Sequence, residues 1–169
     1  MRNIVFVGPH GVGKSFMGRA LSQMLHYCFV DLDQLIEQYV GRDRRDIVSY
    51  FGISTFRSIE TQLLKNLCTL SRTVIALGGG SCLCEENRFW IGRLGSVIYF
   101  HIEKDDLLHR WMRNNYWPLA CPKRDFFDLY YHDRVSTCRE LNCIEVQVDN
   151  AFLFSVHHIQ EIIMDHFLA

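Results

Sequence analysis

Gly8-Pro9-His10-Gly11-Val12-Gly13-Lys14-Ser15 fits the pattern G-x-x-x-x-G-K-[ST], in which a glycine-rich loop turns successive backbone N–H groups onto a phosphate. In such a loop Lys14 reaches the β- and γ-phosphates and the Ser15 hydroxyl ligates Mg²⁺. The chemistry implied is nucleotide binding, and three further clusters bear on what the nucleotide meets. Asp31-Leu32-Asp33 closes an apolar run. Read as a strand end, it puts both carboxylates on one face, towards the crevice where parallel sheets bind ligands. One could support the Mg²⁺ while the other takes a proton from a substrate hydroxyl; Asp33 as a helix cap is the other reading. Arg57 and Glu60 in Phe56-Arg57-Ser58-Ile59-Glu60 share a helical face at three-residue spacing. A guanidinium so oriented suits capture of a carboxylate, and a surface ion pair is the alternative. Gly78-Gly79-Gly80 directly follows an apolar run and lets backbone approach a ligand closely.

These clusters need elements to hold them. Strand-like runs at 3–7, 27–31, 73–77, 96–102 and 143–148 alternate with helical patterns at 15–26, 33–40, 45–51, 55–70, 105–113, 126–141 and 153–167. Alternation of this kind predicts a parallel sheet covered by helices, an α/β fold. At 169 residues the chain reads as a single domain, 1–169. Pro118 and Pro122 bracket an irregular stretch, and 112–124 reads as a mobile lid.

A net charge of −1 argues against nucleic acid, and Arg42-Asp43-Arg44-Arg45, interrupted by its acid, reads as a solvated surface. No apolar stretch approaches the roughly 20 residues that span a membrane. The first strand begins at Asn3, which is read as leaving no room for a signal peptide. A cytoplasmic monomer is expected. Seven cysteines, an odd number without a C-x-x-C pair, read as reduced thiols rather than a zinc site.

Taken in order, Gly8 to Ser15, Asp31-Leu32-Asp33, Phe56-Arg57-Ser58-Ile59-Glu60 and Gly78-Gly79-Gly80 resemble shikimate kinase. The segment 92–102 and the pieces Asp133-Arg134, Arg139-Glu140-Leu141 and Val146-Gln147-Val148-Asp149 resemble the family's later strand and final helix and strand. The resemblance implies a three-layer α/β/α P-loop kinase fold, with a five-stranded parallel sheet in the order 2-3-1-4-5 and a lid. It implies ATP and Mg²⁺ as cofactors and phosphoryl transfer to the 3-hydroxyl of shikimate. Gly11, Val12, Gly13, Lys14, Ser15 and Phe16 would then cradle phosphate, and Arg110 would meet the adenine. Asp33 would be the base, with Arg57 and Arg134 on the substrate carboxylate and Glu60 orienting Arg57. Gly79 and Gly80 would contact the substrate, and Asp31 would sit beside the Mg²⁺ held by Ser15.

The chain departs from the family pattern at three places. Phe16 stands where the family has threonine, and Gly52-Ile53 where it has Gly-Glu. In the lid the family's Arg-Pro-Leu-Leu is Trp117-Pro118-Leu119-Ala120, which removes a cation expected on the phosphates. Arg113, Lys123 and Arg124 are the nearby replacements, and Arg113, one helical turn before Trp117, is the expected one. The alternatives are a related kinase acting on gluconate or a nucleoside monophosphate, and a nucleotide-binding member whose turnover is weak or lost.

Overall fold

The computed structural model describes residues 2–115, 117, 118, 121, 123–148, 158, 159, 161, 162 and 165. Within them the chain runs β1 (Asn3–Val7), α1 (Lys14–Leu25), β2 (Cys28–Asp31), α2 (Leu32–Val40), α3 (Arg44–Leu67) and β3 (Thr73–Ala76). It continues through α4 (Glu85–Leu94), β4 (Gly95–His101), α5 (Lys104–Arg113), α6 (Phe127–Arg139) and β5 (Ile144–Gln147). The five strands pair in parallel in the order β2-β3-β1-β4-β5, as expected.

Strand pleating explains the layers. Alternate residues of a strand face opposite sides, so Ile4 and Phe6 of β1 pack with Met17 and Leu21 of α1, Trp111 of α5 and Tyr130 of α6. Val5 and Val7 face the other way, onto Ile36 of α2, Leu64 of α3 and Ile91 of α4. The central strands β1 and β3 are buried along their whole length, as expected for a parallel sheet covered on both faces.

Two expectations need correction. Strand β2 ends at Asp31, which caps α2 by accepting from the Gln34 N–H. Asp33 therefore stands in the first helical turn rather than on a strand beside Asp31, and it is not the cap. No helix is predicted after the triple glycine, yet α4 forms there, burying Asn87, Ile91 and Leu94. Their i, i+4, i+7 spacing is helical, but a polar residue at the first position breaks the apolar signal. The helix predicted from 126 is present as α6, preceded by a short 3-10 turn, Arg124–Phe126.

The break predicted between 51 and 55 falls at Gly52, whose φ of 82° and ψ of 162° divide α3 into two helical segments. A Cβ at Gly52 would meet nothing within 4 Å, so the backbone conformation, not space, calls for glycine there. Most of the helix predicted at 153–167 lies outside the described residues, as do Tyr116, Leu119, Ala120 and Pro122 of the predicted lid. No described helix is long and apolar enough to cross a membrane.

Candidate active site

Two adjoining cavities open at the C-terminal ends of the strands. The first, of about 370 Å³, lies along the glycine-rich loop and is bordered by Gly11, Gly13, Lys14, Ser15, Phe16, Asp31 and Asp33. Gly13 caps α1 at a φ of 105°, a left-handed turn that aims the start of the helix at an incoming anion. Lys14 is buried, and its Nζ donates to the carbonyls of Gly8 and Pro9 at 2.8 Å each. Burial pulls its pKa down against the opposing pull of Asp33. The Ser15 hydroxyl donates to Asp31 Oδ2 at 2.5 Å. A hydroxyl and a carboxylate held together beside a phosphate loop form a hard-oxygen donor set suited to Mg²⁺ and its waters, so these residues fit the ion.

The second cavity, of about 290 Å³, is bordered by Asp33, Arg57, Glu60, Arg134 and the triple glycine, among others. Its floor is tight. A Cβ on Gly79 would come within 2.6 Å of the His10 backbone nitrogen, and one on Gly80 within 2.6 Å of Arg57 Nη2. Side chains are excluded there, and backbone is left as the surface a ligand touches.

Arg57 is held by a network built on Glu60, which is completely buried. Glu60 Oε2 accepts from Arg57 Nη1 at 2.6 Å and from Asn87 Nδ2 at 2.9 Å, and Oε1 accepts from the Ser81 hydroxyl at 2.7 Å. The Thr61 hydroxyl in turn donates to Asn87 Oδ1 at 2.5 Å. Arg57 is thus a fixed fork rather than a surface ion pair.

Arg134 is buried on α6 with its guanidinium carbon 3.5 Å from the centre of the Tyr130 ring. Its Nη1 donates to the Tyr130 carbonyl at 3.1 Å, while its Nε has no hydrogen-bond partner. A buried, unsatisfied guanidinium N–H is costly, and an anion in the cavity it lines would relieve that cost.

Between the cavities stand four residues common to both: His10, Asp33, Arg44 and Gly79. Asp33 Oδ2 accepts from Arg44 Nη1 at 2.6 Å. Burial raises the Asp33 pKa, and Arg44 and Lys14 oppose that rise. The His10 backbone is clamped, its N–H on the Tyr130 hydroxyl at 3.2 Å and its carbonyl on Trp111 Nε1 at 3.0 Å. Its imidazole is pushed down to a pKa of about 3, by burial first and then by Lys14, Arg44 and Arg134.

Most of the predicted site residues come together here. Arg44 is a correction: the run 42–45 reads as solvated, but this arginine turns inward. Ser81, Asn87 and Tyr130 belong to no predicted motif, and His10 passes as a variable position of the loop. The remaining predicted residues lie further out. Arg110 Nη1 reaches the Val12 carbonyl at 3.4 Å. Arg113 is exposed in the last turn of α5, and Lys123 and Arg124 are exposed as well. Trp117 packs its edge on Trp111, with ring centres 5.8 Å apart, so it extends the aromatic core instead of supplying charge.

A phosphate loop opening onto a second cavity lined by three arginines and an aspartate marks a P-loop kinase acting on a small acidic, hydroxylated molecule. The family model for shikimate kinase matches residues 10–163. The shikimate kinase of Vibrio cholerae is 36% identical over 152 residues, covering 88% of this chain and 87% of that protein. That of Actinobacillus pleuropneumoniae is 34% identical over 163 residues, covering 94% of each. The solved structure of Acinetobacter baumannii shikimate kinase in complex with shikimate superposes with a TM-score of 0.86 at 28% identity, over 100% of this chain and 96% of that one. The chain belongs to the shikimate kinase family.

Proposed function

We propose that this chain transfers the γ-phosphoryl group of ATP to the 3-hydroxyl of shikimate, with the two cavities serving as donor and acceptor sites. The observation that carries the reading is the acceptor cavity: two held guanidinium groups, Arg57 and Arg134, line it together with Asp33, and Asp33 also borders the phosphate loop. Arg57 and Arg134 bind the carboxylate of the acceptor, and the planar fork of each gives direction as well as charge. The backbone of Gly79 and Gly80 supports the ring from below. Asp33 accepts the proton of the attacking hydroxyl.

Phosphoryl transfer asks little covalent chemistry of the protein, so positioning and charge stabilisation do most of the work. The loop from Gly11 to Phe16 holds the phosphates, and Lys14 exchanges its loop carbonyls for the γ-phosphate oxygens. Arg110, beside Val12, supports the nucleoside end. Ser15, with Asp31 behind it, would hold Mg²⁺, which would supply positive charge beside the phosphates. Residues 112–124 act as the lid, with Trp117 anchoring it on Trp111. The reading is completed by a monomer working in the cytoplasm on a small molecule, without nucleic acid or membrane.

A coupled ADP-release assay with shikimate, gluconate and AMP as separate acceptors tests the proposal. Stimulation by shikimate alone is expected, and nucleotide binding without stimulation by any of them would refute it. Asp33→Asn is expected to abolish turnover while ATP affinity stays within about twofold, since a neutral amide of the same shape cannot act as the base and leaves the loop unchanged.

A further inference from the structure

Of the four residues shared by both cavities, Arg44 is the one that no motif accounts for. It follows the cap residue Asp43 at the start of α3, the helix end at which the backbone dipole disfavours a cation. Its backbone is tied down, the N–H donating to Glu37 Oε1 of α2 at 3.0 Å. From there its side chain crosses to Asp33 and donates to Oδ2 at 2.6 Å. The side chains of Arg44 and Asp33 keep only 24% and 22% of their exposure, so the pair is shielded in a way that a surface ion pair is not.

The other oxygen of Asp33 is turned elsewhere. A Cβ on Gly78 would come within 2.6 Å of Oδ1, so this oxygen lies against the glycine floor of the acceptor cavity. A carboxylate rotates broadly about its last torsion unless something holds one of its oxygens. Other charged groups act on Asp33 without fixing that rotation in this geometry: Lys14 from the start of α1, Asp31 from the end of β2 and Glu60 from the second segment of α3. Arg57, Arg134 and His10 border the same cavity.

We propose that Arg44 is a positioning residue for Asp33, clamping Oδ2 so that Oδ1 is the oxygen presented to the acceptor hydroxyl. The proposal rests on the reading of this cavity as the shikimate site. Its chemistry is specific to arginine: a lysine carries the charge but lacks the planar fork, so Lys restores part of the effect.

The test combines shikimate binding by calorimetry with steady-state turnover, on wild type, R44A, R44Q, R44K, D33A and the R44A/D33A double variant. ADP affinity reports whether each variant is folded, and R44Q stands in if R44A is not. Loss of Arg44 is expected to weaken shikimate binding about tenfold and to lower kcat about tenfold or more, with the ATP KM changed less than twofold. R44K should recover part of both. Because Arg44 acts through Asp33, the double variant should bind shikimate no more weakly than D33A. Losses that add in the double variant would overturn the proposal, as would unchanged kcat in R44A. A raised ATP KM with intact shikimate binding would also overturn it, making Arg44 a phosphate contact instead. Wild type that fails to turn over shikimate would overturn this proposal together with the reading beneath it. Wild-type turnover with an unaffected R44A would overturn the role of Arg44 alone.

Discussion

Replacing Glu60 probes the part of the site that is least replaceable. In Glu60→Ala, the Ser81 hydroxyl and Asn87 Nδ2 lose their acceptor at a fully buried position. Each unmet buried donor costs about 1–3 kcal/mol. Arg57 also loses its partner, but it keeps 26% of its side-chain exposure and can turn to water, so its share is small. The sum is roughly 2–6 kcal/mol against a typical domain stability of about 5–15 kcal/mol. Glu60→Gln keeps the shape. Its carbonyl can serve Arg57 and Asn87 while its amide donates to the Ser81 oxygen, so only the charge is lost, at about 1–2 kcal/mol. Urea unfolding followed by tryptophan fluorescence gives both values from the midpoints and slopes. Kinetics on Glu60→Gln should show a shikimate KM raised about three- to tenfold with the ATP KM unchanged, because Arg57 is then held by a neutral hydrogen bond, weaker than the charge-assisted one it has now. A Glu60→Ala loss under about 1 kcal/mol, or equal losses for both variants, would refute the view that Glu60 organises this site.

Other outcomes follow from the same geometry. Arg57→Ala should raise the shikimate KM at least about tenfold, since a charge-assisted hydrogen bond is worth roughly 1.5–3 kcal/mol; an unchanged KM removes Arg57 from the acceptor site. Gly79→Ala forces a Cβ against the His10 backbone at 2.6 Å and should cost about 1–3 kcal/mol of stability with a large loss of kcat. Its control is Gly92→Ala in α4, where a Cβ meets nothing within 4 Å and helix propensity should add about 0.5–1 kcal/mol without changing activity. Equal unfolding midpoints for the two variants would refute the packing argument. His10 is neutral in the fold, with its pKa lowered from 6.5 to about 3. As pH falls below 6.5 the unfolded chain takes the proton first, so stability is lost from about pH 6.5 down towards pH 3. Between pH 7.5 and 5 wild type should lose about 2 kcal/mol more than His10→Gln in urea unfolding, and parallel losses would contradict the burial of that imidazole.

The legible parts of this protein are the local ones. The phosphate loop is contiguous, and Arg57 and Glu60 sit one helical turn apart, so spacing alone brings them together. The strand order and both cavity walls follow from the family resemblance, which also supplied Arg134. What the sequence hides depends on distant partners. Arg44 sits among other charges and looks solvated until α2 and α3 fold together and aim it at Asp33. The one local sign is its type, a cation just behind the Asp43 cap. Asn87 interrupts an apolar helical stripe because its partner, Glu60, lies 27 residues back. Asp33 was legible as a site residue for a mistaken reason, since it reaches the crevice from a helix and not from a strand.

The proposed reaction transfers a phosphoryl group to a single hydroxyl of shikimate. The direct measurement is phosphorus NMR of a mixture of this chain, ATP, Mg²⁺ and shikimate. A new phosphomonoester resonance is expected, growing in step with ADP and coupled to the proton on carbon 3 of shikimate. ADP accompanied only by inorganic phosphate, or a phosphomonoester on another hydroxyl, would contradict it.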